Sequence, residues 1–111
     1  MSQPTQINLG GEGEVPGVLN QQGPWALLPS WFSARGGKTL RELLADGHRF
    51  IICRNENLPF PDDCFDVVYT NDVPLDKVTH LGPGVQRSEI ERILKPGGVW
   101  IKDNAVEYVK P

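Results

Sequence analysis

Two short and almost wholly apolar segments constrain the fold more than any other feature of this chain. They are residues 50–53, within "RFIIC", and residues 65–69, within "FDVVYT". A strand with one face in water alternates apolar and polar residues. Strands of near-continuous apolar character are typical of parallel sheets that are buried on both faces. Parallel neighbours need a crossover between them, usually a helix, so the chain should also contain helices.

Two segments have the spacing of amphipathic helices. In "KTLRELLADG" (38–47) leucines recur at i, i+3 and i+4, and Gly47 is a natural stop. In "VQRSEIERILKPGG" (85–98) Ile90, Ile93 and Leu94 form one apolar face, and the sequence "PGG" ends the helix. The sequence therefore predicts one helix before "RFIIC" and another after "FDVVYT".

The remaining segments predict short strands and loops. Ile7 and Leu9 indicate a short strand that runs into the glycine turn "GGEG". The segments "VPGVLNQQGP" and "NDVPLDKVTHLGPG" are interpreted as loops, and "WALLPSWF" as at most a broken helical turn because it contains Pro29. "VWIK" and "AVEYVK" are two closing strands, joined by a tight hairpin turn at Asp103 and Asn104.

This order predicts an α/β fold, with a small and mostly parallel sheet flanked by helices and a C-terminal antiparallel hairpin. The 111 residues fit one domain, 1–111, and no linker or internal repeat divides them. In such sheets the ligand crevice lies beyond the carboxyl ends of the strands. Three loops should gather there, at residues 10–17, 54–63 and 70–84.

Composition disfavours several classes of function. The net charge of −3 and the pI near 5.3 do not favour nonspecific nucleic-acid binding, although a local basic patch remains open. No apolar run approaches the length of a membrane helix, and the polar start "MSQPTQ" is no signal peptide. We therefore expect a cytoplasmic protein without a membrane partner. Cys53 and Cys64 are not in a zinc pattern, and we expect no metal and two buried free thiols, with a disulfide or a reactive thiol as the alternative.

At "NLPFPDDCFDVVYTND" and then "SEIERILKPGGVWI" the chain resembles the second half of a class I S-adenosylmethionine-dependent methyltransferase. The earlier "INLGGEGEVPG" is similar to the glycine-rich first loop of that family. The resemblance covers roughly residues 6–14 and 50–101. It implies a reduced Rossmann-like methyltransferase fold, S-adenosylmethionine as the cofactor, and an acceptor substrate that the sequence does not identify.

The resemblance also implies a set of site residues. The cofactor would lie against the glycine loop and beside the "ENL" turn that flanks the adenine, which assigns cofactor binding to Leu9, Gly10, Gly11, Gly13, Glu56, Asn57 and Leu58. Asn71 and Asp72 follow a buried strand and would face the acceptor. Glycines at such a turn let a ligand approach the backbone, whose exposed amides suit carboxylate or hydroxyl groups.

Two positions depart from the family pattern. That family usually places an acidic residue at the end of a second strand to hold the ribose, but no clear second strand lies between the glycine loop and "RFIIC". No ribose acid can therefore be named, and Glu12 or Glu14 would be a guess. The acidic residue that commonly precedes "LPF" by four positions is Arg54 here.

A second hypothesis is a trimmed fold without methyl transfer. The loop from residue 73 to residue 98 faintly resembles C-terminal effector modules of bacterial polymorphic (Rhs-type) toxins, which would act on nucleic acid or nucleotide in a target-cell cytoplasm. His80 would then be catalytic by general acid–base chemistry, with Asp76, Lys77, Arg87 and Glu89 nearby in sequence. In this hypothesis Arg54, His80 and Arg87 would matter more than the glycine loop. A non-catalytic interaction module is also possible. Trp25 and Trp31 would either fill the core or form a face for a protein partner.

Overall fold

Residues 4–111 are described by a computed structural model of the chain. One sheet contains six of the strands, and two short helices, one 3₁₀ helix and a two-stranded hairpin accompany it. In chain order the elements are β1 (Gln6–Leu9), β2 (Leu19–Gln22), the 3₁₀ helix (Pro24–Leu27), α1 (Leu40–Ala45), β3 (Phe50–Ile52), β4 (Phe65–Thr70), β5 (Val78–Thr79), β6 (Gly82–Pro83), α2 (Arg87–Ile93), β7 (Leu94–Lys102) and β8 (Ala105–Val109).

The strand order of the main sheet is β3-β2-β1-β4-β7-β8. Every neighbouring pair is parallel except β7 and β8, which are antiparallel. Asp103 and Asn104 turn that last hairpin, both with positive φ (49° and 68°), as a tight two-residue turn requires. The prediction of a mostly parallel α/β sheet with a C-terminal antiparallel hairpin is confirmed.

The core lies where the interior strands meet α2. Ile7 of β1, Val68 of β4 and Trp100 of β7 are fully buried, and Ile90 and Ile93 of α2 cover them. β4 thus lies in the middle of the sheet, as its apolar run predicted. β3 was expected to be equally buried, but all three of its residues are only half-buried because it is an edge strand.

The prediction that no second strand precedes "RFIIC" is wrong. β2 lies inside the segment interpreted as loop, between β1 and β3, and its sequence is "LNQQ". Asn20, Gln21 and Gln22 are buried although they are polar. Neither an apolar run nor alternation marks this strand, because its side chains are buried through hydrogen bonds instead of apolar contact.

Both helices are shorter than their sequence patterns predicted. α1 begins after Thr39, which forms a capping box with Glu42, and it buries only Leu43. α2 ends at Ile93 and not in the "PGG" sequence, because Leu94 is already extended and begins β7. The long loop after β4 contains one ordered unit that was not predicted, the β5–β6 hairpin.

Three further findings concern residues 4–111. None of their helices has the length and apolar character to cross a bilayer. Within this described part, no three His, Cys, Asp or Glu side chains are grouped so as to hold a metal ion. Cys53 and Cys64 are free thiols and are half-buried, and burial raises the pKa of the Cys53 thiol.

Candidate functional site

A cavity of about 410 Å³ opens at the carboxyl edge of the sheet. Its walls come from the segments that follow β1, β2, β3 and β4, so the strand order brings together residues far apart in sequence. Gly10, Trp25, Asn55 and Asn71 represent those four segments. The volume is within the range of about 300–1,000 Å³ usual for small-molecule sites. The expected crevice is therefore present at the edge where the topology predicts it.

The glycine loop beneath this cavity is held by three consecutive side-chain amides of β2. The amide oxygen of Gln21 accepts from the Gly10 N–H at 3.0 Å, and the amide nitrogen of Gln22 donates to the Gly11 carbonyl at 3.0 Å. The amide oxygen of Asn20 accepts from the Gly13 N–H at 3.1 Å. The chain thus crosses from β1 to β2 through residues 10–18 with no helix, and side-chain amides fix the path of the loop.

The backbone amides of this loop are consequently used inside the protein. The Gly11 N–H donates to the carbonyls of Asn8 and Gln21, both at 3.1 Å, and the Glu12 N–H donates to the Glu14 carboxylate at 2.8 Å. The sequence predicted exposed amides that could bind a ligand carboxylate. In the structure the N–H groups of residues 10–13 all have protein acceptors, so charged side chains are the groups left to bind a ligand there.

Gln22 is the last residue of β2, the position at which the family resemblance implies an acidic residue for a ribose. Its amide oxygen accepts from the Trp25 indole N–H at 3.1 Å, while its nitrogen donates to Gly11. A neutral amide with both ends engaged therefore stands in place of the ribose carboxylate. The same contact fixes the Trp25 ring at the cavity wall.

Four charged side chains surround the cavity. Arg35 forms ion pairs with Glu14, Nε to Oε2 at 3.5 Å, and with Asp72, Nη2 to Oδ2 at 3.6 Å. The Glu12 carboxylate accepts from the backbone N–H groups of Ala34 and Arg35 at 2.9 and 3.2 Å. These contacts connect the loop after β1 to the loop after β2 and to Asp72 after β4.

Only part of the predicted site reaches the cavity. Gly10, Asn71 and Asp72 line it, and the Asp72 side chain is 87% exposed. Leu9 is fully buried between β2 and β4, and Gly11 is buried beside it. Gly13 lies instead in a smaller cavity beside the His48 ring.

The predicted adenine turn lies outside the cavity walls. Asn55, immediately before it, lines the cavity, whereas Glu56 and Asn57 are exposed and Leu58 belongs to the core. His80 is exposed in the β5–β6 turn and does not line the cavity, although the next residue, Leu81, does.

The "LPF" loop is held in place from α2. Arg92 donates to the carbonyls of Leu58 and Phe60 at 3.1 and 2.7 Å, and the Glu89 carboxylate accepts from the Leu58 N–H at 2.9 Å. The Arg92 guanidinium also donates to Glu89, and this hydrogen bond holds the pKa of the Glu89 carboxyl below its ordinary value. Leu58 therefore has a structural role, because α2 fixes its backbone and the loop that contains it.

Several cavity residues were not assigned by sequence reasoning. Trp25 and Trp31 were left open between core and partner surface, Glu12 and Glu14 were only guesses, and Phe32, Arg35 and Asn55 were not singled out. The segment from Trp25 to Arg35 has one signal, two tryptophans on either side of Pro29 between Gly23 and Gly36. Its position over the cavity depends on β2, the strand that the sequence did not reveal.

Comparison with protein families gives a match over most of the chain. Residues 10–101 match the sequence model of a family described as "Methyltransferase domain". Searches of the curated proteins and of the solved structures each found no match. The match supports the methyltransferase resemblance, and nothing in the comparisons supports the toxin resemblance.

Proposed function

The chain belongs to the methyltransferase-domain family, and from this premise we propose that it binds S-adenosylmethionine in the cavity at the carboxyl edge of the sheet. Members of this family typically use that cofactor and transfer its methyl group to an acceptor. The observation that carries the proposal is the cavity itself, which four different strand ends build in a sheet of methyltransferase-like order. A cytoplasmic location is part of the same proposal.

The charges at the cavity wall match the charged end of this ligand. Arg35 is the cation that would hold the ligand carboxylate, and Glu14 would hold its ammonium group. The Trp25 ring offers a flat surface for the base. Gln22 would meet the ribose with a neutral amide, and we therefore expect weaker binding than a carboxylate at this position would give.

Bound S-adenosylmethionine would supply an activated methyl group. What the chain has to contribute is position and the exclusion of water, since methyl transfer needs no strong base. Asn71 and Asp72 line the cavity and Asp72 is exposed, so an acceptor would enter beside them. His80 is not among the cavity residues, so the proposal assigns it no catalytic step.

Calorimetric titration with S-adenosylmethionine and S-adenosylhomocysteine tests the proposal. Asn71 and Asn57 form a matched pair, because both follow a strand of the sheet but only Asn71 lines the cavity. We expect saturable binding that Asn71→Ala weakens severalfold and Asn57→Ala leaves unchanged. Absence of binding by the folded protein, or equal effects of the two substitutions, would contradict the proposal.

A second candidate is the same fold without methyl transfer, acting as an interaction module. The satisfied amides of residues 10–13 and the amide of Gln22 favour it, because both reduce the groups available to a nucleoside. The toxin-type effector has less support. Arg87, to which that hypothesis gave more weight, forms ion pairs with Asp76 and Glu107 and lies over the Trp100 ring at 4.7 Å.

A further inference from the structure

The wall of the cavity combines aromatic rings with acidic side chains. Trp25, Trp31 and Phe32 come from the segment after β2, and Leu81 of the β5–β6 turn also lines the cavity. Phe32 is 57% exposed and Leu81 is 43% exposed, so apolar surface is left open to water at the cavity. Apolar surface of this kind at a cavity marks a place where a ligand binds.

The charge of the cavity wall is negative. Glu12, Glu14 and Asp72 are three carboxylates, and Arg35 is the only cationic residue among the cavity-lining residues of the described chain. Arg35 pairs with Glu14 and Asp72, whereas the Glu12 carboxylate is held by backbone N–H groups. A formal excess of two negative charges remains, which favours a cationic ligand over an anionic one.

Aromatic faces and carboxylates together recognise organic cations. Alkylated ammonium groups are bound against Trp, Tyr and Phe rings because the ring quadrupole attracts the charge while the methyl groups contact the apolar surface. Since the proposed function assigns the Trp25 ring to the base, Trp31 and Phe32 are the rings that would meet the cation. The cavity therefore has the two features that such a ligand requires.

We propose that this aromatic and acidic cavity wall binds an alkylated ammonium group, and that methylated amines are the class of small molecule this domain handles. Binding of the cation follows from the cavity alone. Its role as acceptor or product of methyl transfer rests on the proposed function. The two claims are separable, because cation binding and S-adenosylmethionine binding can be measured independently.

Choline and its neutral carbon isostere 3,3-dimethylbutan-1-ol are suitable probes, since they share shape and differ in charge. Titrations of the full chain, followed by calorimetry and tryptophan fluorescence, should show saturable binding of choline. We expect the isostere to bind about tenfold more weakly, the factor that corresponds to about 1.4 kcal/mol of charge recognition. Equal binding of the two probes, or no saturable binding of choline, overturns the proposal.

Variants locate the site. Phe32→Leu removes an exposed ring, and Glu12→Gln removes a charge while keeping an oxygen for the Ala34 N–H. Each should weaken choline binding severalfold, whereas Glu91→Gln, on α2 and outside the cavity, should not. Unchanged choline binding in both cavity variants, with native thermal unfolding, overturns the proposal. Choline binding without S-adenosylmethionine binding would uphold it and contradict the proposed function.

Discussion

At the scale of single residues, the side-chain amides of β2 decide the shape of the site. Asn20, Gln21 and Gln22 each hydrogen-bond a different glycine of the loop after β1. An amide can donate and accept at once, so one buried side chain can join the loop to a second element. Gln21, for example, also donates to the Cys53 carbonyl at 2.8 Å. Apolar periodicity contains no information about such contacts, which explains why sequence reasoning missed the strand that carries them.

Gln22→Glu tests the importance of this amide donor. The carboxylate could still accept from Trp25, but it would place an oxygen against the Gly11 carbonyl where the amide now donates. We expect a loss of about 1–3 kcal/mol in the free energy of unfolding, as for a buried acceptor left without a donor. Chemical denaturation near neutral pH measures this change in the free energy of unfolding. Stability equal to that of the wild type would show that the Gly11 contact contributes little.

Position 13 requires glycine both because its φ is positive and because a side chain there would meet the His48 ring. Alanine variants distinguish these two reasons. The φ of Gly13 is +89°, and an added Cβ would lie 2.6 Å from the His48 ring. Gly17, at φ +75°, has open space around it, so Gly17→Ala measures the backbone strain alone. We expect Gly17→Ala to cost about 1 kcal/mol and Gly13→Ala about 1–3 kcal/mol more.

The His48→Ala background provides the control for this pair. If the ring is the obstacle, Gly13→Ala should cost no more in that background than Gly17→Ala does in the wild type. A double-mutant cycle of unfolding free energies gives the coupling. A Gly13→Ala cost that His48→Ala leaves unchanged would assign the whole effect to backbone strain.

At the scale of elements, α2 illustrates why helix bounds are poorly predicted. The apolar face of Ile90, Ile93 and Leu94 was correctly identified as buried. The helix nevertheless ends at Ile93, whose carbonyl accepts from the Cys64 N–H at 2.7 Å, and the Arg92 carbonyl accepts from the Asp63 N–H at 2.9 Å. Those acceptors pair with the segment entering β4, a tertiary contact that local sequence does not reveal.

Arg92 makes α2 the support of the "LPF" loop, and its removal should loosen that loop. Arg92→Met leaves the Leu58 and Phe60 carbonyls without this donor and removes the partner of Glu89. We expect a loss of about 2–3 kcal/mol in the free energy of unfolding. Arg41→Met, at an exposed position on α1, is the matched control and should change little.

The hydrogen bond between Arg92 and Glu89 also predicts that the free energy of unfolding depends on pH. The hydrogen bond from Arg92 lowers the pKa of Glu89 in the folded protein from its ordinary value of 4.5. The stabilisation by this pair is therefore present above pH 4.5, and it is lost as the pH falls through the lowered pKa of Glu89 in the folded protein. We expect the stability difference between wild type and Arg92→Met to narrow in acid. A difference that is constant with pH would exclude the Glu89 pair as its source.

At the scale of the whole molecule, sequence reasoning reached the fold but only part of the site. The apolar run of β4 and the order of helices and strands identified the parallel sheet and the edge at which a ligand would bind. The cavity wall was harder to predict, because Trp25, Arg35 and Asn55 lie near one another only after β2 is inserted beside β1. Residues that follow a recognisable strand, such as Asn71 and Asp72, could be predicted; those positioned by the hidden strand could not.

This topology predicts that residues 1–111 unfold as one cooperative unit. β1 lies between β2 and β4, and the ends of these strands build the cavity wall. β2 and β3 therefore cannot separate from the rest of the sheet without breaking the pairing of β1 with β2. Calorimetric and van't Hoff enthalpies should therefore agree, and far-ultraviolet circular dichroism should change together with tryptophan fluorescence. Trp25 and Trp31 report the cavity while Trp100 reports the core. A fluorescence transition at lower temperature than the dichroism change would mean that the cavity side unfolds by itself and that the single-domain prediction is wrong.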